Sequence, residues 1–170
     1  MKLHAAMAAL VLAGCGGGAE TPPESKPAPM AEAKPAPKVD SRPELMPAKL
    51  ADPEPQRIQV AHVLISFAGT RTNATRTQAA AEKLAYEVLA RARKGDDFHK
   101  LIKDLSDDPG EGVYGMANFK VRPERGEYER GGMVPAFGDV GFKLDVGAIG
   151  MSTHDPRTSP YGWHVIKRLK

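Results

Sequence analysis

A single cysteine stands in this chain of 170 residues, which excludes an intrachain disulfide framework and any cysteine-rich zinc site. Aromatic residues make up only 6%, which argues against a platform for stacking nucleic-acid bases. The formal net charge is a mild +3 and the basic residues are scattered, so no nucleic-acid partner is expected. Neither a G-x-S-x-G elbow nor an H-E-x-x-H helix occurs, which removes the ordinary routes to a hydrolase. The length excludes a large barrel and leaves room for one domain with extensions.

The one cysteine has a context. Met1-Lys2 opens with a positive charge, and the apolar run Ala5–Ala13 (AAMAALVLA) follows. That run is too short to span a bilayer, and it has the form of a secretory signal. Its end, Leu12-Ala13-Gly14-Cys15, resembles the bacterial lipobox. The resemblance implies cleavage after residue 14 and lipidation of Cys15, hence membrane attachment through acyl chains. Gly16, where an Asp would favour retention at the inner membrane, points by the sorting pattern to the outer membrane.

Residues 15–56 read as the lipidated cysteine plus a tether. Gly16–Gln56 holds 10 of the 15 prolines among Ala, Lys and Glu, with no helical or strand periodicity. Such a segment buries too little apolar surface to offset its chain entropy, and its prolines favour extended polyproline II. Residues 57–170 carry 18 basic against 14 acidic residues and read as the folded domain. The β-branched run Ile58–Ile65 predicts a central strand. Ala81, Leu84, Ala85, Val88, Leu89 and Ala92 form one helical stripe, with Thr77 as N-cap and Gly95 as left-handed C-cap. Phe98, Leu101, Ile102 and Leu105 predict a second helix capped by Asp96 or Asp97. A strand over Val113–Phe119, a charged surface loop over Lys120–Arg130 and a helix over Met133–Leu144 follow. Strands near Ala148–Thr153 and Gly162–Leu169 close the chain. The order β-α-α-β-α-β-β predicts an α+β fold with a mostly antiparallel sheet.

Four stretches now stand in order: His62–Ile65 (HVLI); Asp97-Phe98-x-x-Leu101 through Ser106-Asp107-Asp108; Gly131–Phe137 (GGMVPAF) with Phe142-x-Leu144-x-x-Gly147; and Tyr161–Ile166 (YGWHVI). Together they resemble the parvulin family of peptidyl-prolyl cis/trans isomerases over essentially all of residues 58–170. The resemblance implies a four-stranded antiparallel sheet surrounded by helices. It implies an enzyme that turns Xaa-Pro bonds in unfolded or folding polypeptides, with no cofactor and no metal, and a monomer is expected. Taken alone, Met133 and Phe137, four apart, read as ordinary core. The resemblance places them, with Met116, in a proline pocket that Tyr161 helps to line. It places His62 and His164 together at the centre of the sheet, bonds Ser159 to their network, and sets Asp108 near the substrate carbonyl. Taken alone, Asp107 or Asp108 would merely end a helix before Pro109. Arg71 and Arg76, in the loop after the first strand, offer contacts for acidic residues before proline, or a solvated loop. The expected function is a lipid-anchored prolyl isomerase of the cell envelope; the alternative is a module that holds unfolded chains without turnover.

Overall fold

The first regular element begins two residues after Pro55. In this computed structural model, which describes residues 43–47 and 49–170, strand β1 spans Arg57–Ile65 and lies at the centre of a sheet. β2 (Val113–Ala117) and β5 (Trp163–Arg168) pair with it antiparallel on either side, and β4 (Ile149–Ser152) pairs antiparallel with β5. These four strands are the antiparallel sheet expected. A fifth, β3 (Glu127–Glu129), runs parallel to β2 at the edge, giving the order β3-β2-β1-β5-β4.

β3 corrects the reading of 120–130 as a loop alone. Glu-Tyr-Glu carries little strand propensity, and its pairing is secured from far away in sequence. Arg57 binds the Glu127 carboxylate, lies 3.3 Å from Glu124 and donates to the Arg122 carbonyl at 2.8 Å.

Helix α1 (Gln78–Lys94) starts where Thr77 accepts from the Ala80 amide at 3.2 Å and ends at Gly95, whose φ of 103° is left-handed. α2 (Phe98–Leu105) starts where Asp97 accepts from the Lys100 amide at 3.0 Å. Both helices pack on one face of the sheet, over Ala61, Val63, Ile65, Met151 and Val165. α3 (Pro135–Lys143) packs on the other face, with Ile58, Val60, Met116, Leu144 and Ile166. β1 is thus covered on both sides, which explains the imperfect alternation in its sequence.

The domain extends N-terminal of Arg57, a second correction. Leu45 packs against the first core and Met46 against the second. The Leu45 carbonyl accepts from the Met151 amide at 2.8 Å, and the Ala51 amide donates to the Lys143 carbonyl at 2.7 Å. Glu54 binds the buried Arg130 at 2.6 Å. Two of these contacts use the main chain, which composition cannot reveal, and two apolar residues among prolines do not form a periodic signal. The expected signal peptide, Cys15 and the tether as far as residue 42 lie outside the described residues. Among the described residues, no helix is long and apolar enough to cross a membrane.

Gly162 opens β5 with a φ of +137°, and a Cβ there would fall 2.2 Å from the Ile65 carbonyl oxygen. No side chain fits this approach, which seats β5 against the end of β1 two residues before His164. Gly162→Ala is expected to cost about 3–5 kcal/mol in urea unfolding; a loss under 1 kcal/mol would show that the junction yields.

Candidate active site

Residues two apart on a strand share a face. His62 therefore joins Ile58 and Val60 on the α3 side of the sheet, and His164 joins Ile166. The register sets His62 opposite Ile166 and Leu64 opposite His164, so the two imidazoles are diagonal neighbours. Their rings stack with centroids 5.3 Å apart, and Nδ1 meets Nδ1 at 3.3 Å.

Asp108 arrives from the loop between α2 and β2, and that loop is stapled to the end of β1. The Ser106 hydroxyl oxygen accepts from the Leu64 amide at 3.1 Å, the Asp107 amide donates to the Leu64 carbonyl at 2.8 Å, and the Asp107 carboxylate accepts from the Ser66 amide at 2.8 Å. α2 has already ended at Leu105, so neither aspartate terminates it. Asp107 builds the loop, and Asp108 reaches the site. His62 Nε2 lies 2.8 Å from Asp108 Oδ2, and the Tyr114 hydroxyl donates to the same oxygen at 2.7 Å. The Gly110 amide donates to Oδ1 at 3.1 Å.

These contacts order the protons. The hydrogen bond from His62, followed by those from Tyr114 and Gly110, outweighs burial and holds the Asp108 carboxyl well below the usual carboxylate range. An ionised carboxylate only accepts, so the His62 proton facing it sits on Nε2. Across the Nδ1–Nδ1 contact one imidazole donates and the other accepts. His164 Nε2 is buried with no hydrogen-bond partner among the described residues. Burial, with His62 adding to it, pushes His164 down to about 3, so it is neutral at physiological pH. Burial, then the hydrogen bond to Asp108 and its charge, pushes the Tyr114 phenol above its ordinary value.

A cleft of about 300 Å³ opens above this network. His62, His164 and Asp108 line it, together with Met133, Phe137, Tyr161 and Arg71, so seven of the expected site residues meet in one place. Phe137 is the wall most tightly held: its ring stands edge-on to His62 at 5.0 Å and to His164 at 5.5 Å.

Residues 47–170 match the PPIC-type PPIASE domain. The chain belongs to the parvulin family of peptidyl-prolyl isomerases. It is 40% identical over 86 residues to the foldase protein PrsA of Geobacillus kaustophilus, covering 51% of this chain and 27% of that one. It is 36% identical over 109 residues to the chaperone SurA of Chromohalobacter salexigens, covering 64% of this chain and 21% of that one. The chain thus spans about a quarter of the length of these curated relatives. Its fold resembles the peptidyl-prolyl isomerase ESS1 from Candida albicans, with a TM-score of 0.50 and 20% identity over 68% of this chain and 63% of that one.

Against the parvulin expectation, four placements change. Met116 is fully buried in the core beneath the cleft, and Tyr114, two residues earlier on the same strand face, lines the cleft instead. Register decides between them: Tyr114 pairs with Val60 and Met116 with Ile58, so the tyrosine lies nearer His62. Tyr114 was missed from the sequence; alternation by two from Met116 is the signal that would have raised it. Ser159 is buried, but its hydroxyl donates to the Gly162 carbonyl at 2.7 Å and does not reach the imidazoles. It serves the turn between Asp155 and Gly162, where it pairs with Asp155. Arg76 is committed to the Asp107 carboxylate and the Ser66 carbonyl, while Arg71 stays exposed at the cleft. Met133 lines the cleft from extended backbone just before α3, not from the helix itself.

Two measurements check these electrostatics. Below the ordinary value of 6.5, the unfolded chain binds a proton that folded His164 refuses until about pH 3. Stability therefore falls as pH drops through that window, by up to about 1.4 kcal/mol per unit from this group. Asp108 adds to the loss only below its ordinary 3.8, where the unfolded carboxylate protonates first. His164→Leu should flatten the slope of urea stability between pH 6 and 4; an unchanged slope would remove His164 as its source. Tyr114→Phe should move the Asp108 carboxyl titration, followed by carbon NMR, upward toward the ordinary value.

Proposed function

We propose that this chain catalyses cis/trans isomerisation of Xaa-Pro bonds without covalent chemistry. The observation that carries the reading is the apolar cleft floored by a hydrogen-bonded Asp108–His62–His164 chain. The uncatalysed bond rotates over about 18–20 kcal/mol, because amide resonance must be lost. No bond is made or broken, so a site need only favour the twisted imide over the planar one.

Each wall has a part in that preference. Met133 and Phe137 grip the pyrrolidine ring, and the apolar lining disfavours the planar imide, which is the more dipolar state. Asp108 already accepts three hydrogen bonds, which makes it a poor nucleophile. Its fixed negative charge acts on the carbonyl oxygen instead. That oxygen carries most negative charge while the imide is planar, so repulsion raises the ground state more than the twisted state. His62 holds the carboxylate in place, and His164, buried and neutral, backs His62. Ser159 supports this floor indirectly, through the turn that leads into β5.

The physiological setting follows from the N-terminal residues. Cys15, lipidated after removal of residues 1–14, attaches the domain to the cell envelope, at the outer membrane by the residue that follows it. The Pro-rich stretch holds the domain off the lipid. The clients are unfolded or folding polypeptides, for which the names foldase and chaperone of the relatives speak. Unassisted isomerisation takes tens to hundreds of seconds, slow enough to limit folding.

Exchange NMR of a short Xaa-Pro peptide with the whole chain tests the reading. Accelerated cis/trans exchange is expected, with Phe137→Ala lowering kcat/KM by about tenfold or more and Met133→Ala by less. Peptide binding with exchange left at the uncatalysed rate would replace the isomerase with a holding module.

A further inference from the structure

The segment 120–130 is held at two places. From residue 122 to 127 Arg57 binds the Arg122 carbonyl, Glu124 and Glu127. At its end the buried Arg130 lies 4.7 Å from the ring centroids of both Phe119 and Phe142 and bonds to Glu54, Asn118 and Asp139. Such anchoring is more than a solvated surface loop needs, and it fixes what the segment presents.

What it presents is Tyr128. In the parallel pairing of β3 with β2, Tyr128 is the register partner of Met116, so it shares the sheet face of Met116 and Tyr114. Its ring lies 5.8 Å from that of Tyr114, tilted by 59°. Tyr114 already lines the cleft, and its hydroxyl is committed to Asp108, so it offers the apolar faces of its ring. Tyr128 nevertheless remains 53% exposed. Core packing does not account for it, since Tyr114 is fixed without it by Asp108, His62 and Phe137. The acidic neighbour Glu127 alternates to the opposite face, where Arg57 neutralises it.

We propose that Tyr114 and Tyr128 form a ledge that continues the proline cleft outward over β3, and that this ledge takes a large apolar side chain flanking the proline of the substrate. Tyr128 is then a specificity-determining residue supplied by the 120–130 segment. The proposal rests on the isomerase reading of the cleft. An extended chain advances about 3.3 Å per residue, so a ring 5.8 Å beyond the cleft wall falls within one or two residues of the bound proline. Two apolar ring faces with no free charge between them select a large apolar side chain over a charged one.

The test compares Xaa-Pro peptides carrying Leu or Gly on either side of the proline, with the whole chain as catalyst. On the side that faces the ledge, the leucine peptide should be favoured roughly 3- to 10-fold in kcat/KM, mostly through KM. Tyr128→Ser should bring that ratio to about 1, and Tyr128→Phe should keep it. A ratio unchanged in Tyr128→Ser, or absent in the unaltered protein on both sides, overturns the ledge. If the unaltered protein accelerates no peptide, the isomerase reading fails separately. The ledge is then judged by dissociation constants for the same peptides, and equal affinities overturn it. Unaltered thermal unfolding of the variants excludes a folding defect as the cause of a lost ratio.

Discussion

Everything at the site depends on the register between β1 and β5. Their antiparallel pairing sets His62 and His164 on one diagonal, and the contact between their rings exists only in that pairing. A slip of one residue would carry one imidazole through the sheet to the side of α1 and α2. The register is held by what lies around it. Val63, Ile65 and Val165 are buried beneath α1 and α2, and Val60 and Ile166 beneath α3. Gly162 admits no side chain at the point where β5 begins. Core packing and site geometry are therefore one constraint, and the imidazoles are placed by the apolar residues that alternate with them.

The carboxylate is placed by different means. Ser106, Asp107 and Asp108 are consecutive and polar, yet each has its own task. Ser106 and Asp107 satisfy backbone groups at the end of β1, with Arg76 balancing the charge of Asp107. Only Asp108 turns to the cleft, where His62, Tyr114 and Gly110 share its two oxygens. An ionised group so surrounded is rigid as well as charged. This is what electrostatic preorganisation requires, and it suits the isomerisation proposed above.

Some of this was open to reading from the residues in order, and some was not. The caps of α1 and α2 are local devices, since Thr77, Gly95 and Asp97 act within three or four residues of themselves. The stripe Ala81–Ala92 is local in the same sense. The two histidines were legible as a pair only because four ordered stretches resembled parvulins; a lone strand histidine says nothing of its partner. Met116 was expected at the cleft and Tyr114 was missed, as alternation assigns a face but not a height along the strand. Arg76 read as a free cation because its partner Asp107 lies 31 residues away. β3 and the docked residues 43–47 and 49–56 escaped for the same reason, being held by Arg57, Arg130 and main-chain carbonyls from distant segments.

By itself, then, the amino-acid order determined the helices with the caps Thr77, Gly95 and Asp97, the central strand, the α+β class and the kinds of side chain available for chemistry. These are set by interactions spanning a few residues, where propensity, periodicity and capping decide. Only the tertiary structure decided which of those side chains meet: that Tyr114 and not Met116 walls the cleft, that Ser159 turns to Gly162, that Arg76 is spent on Asp107, and that Tyr128 stands beside the site. Those outcomes depend on strand register and on polar groups finding partners dozens of residues away, and no local pattern encodes either.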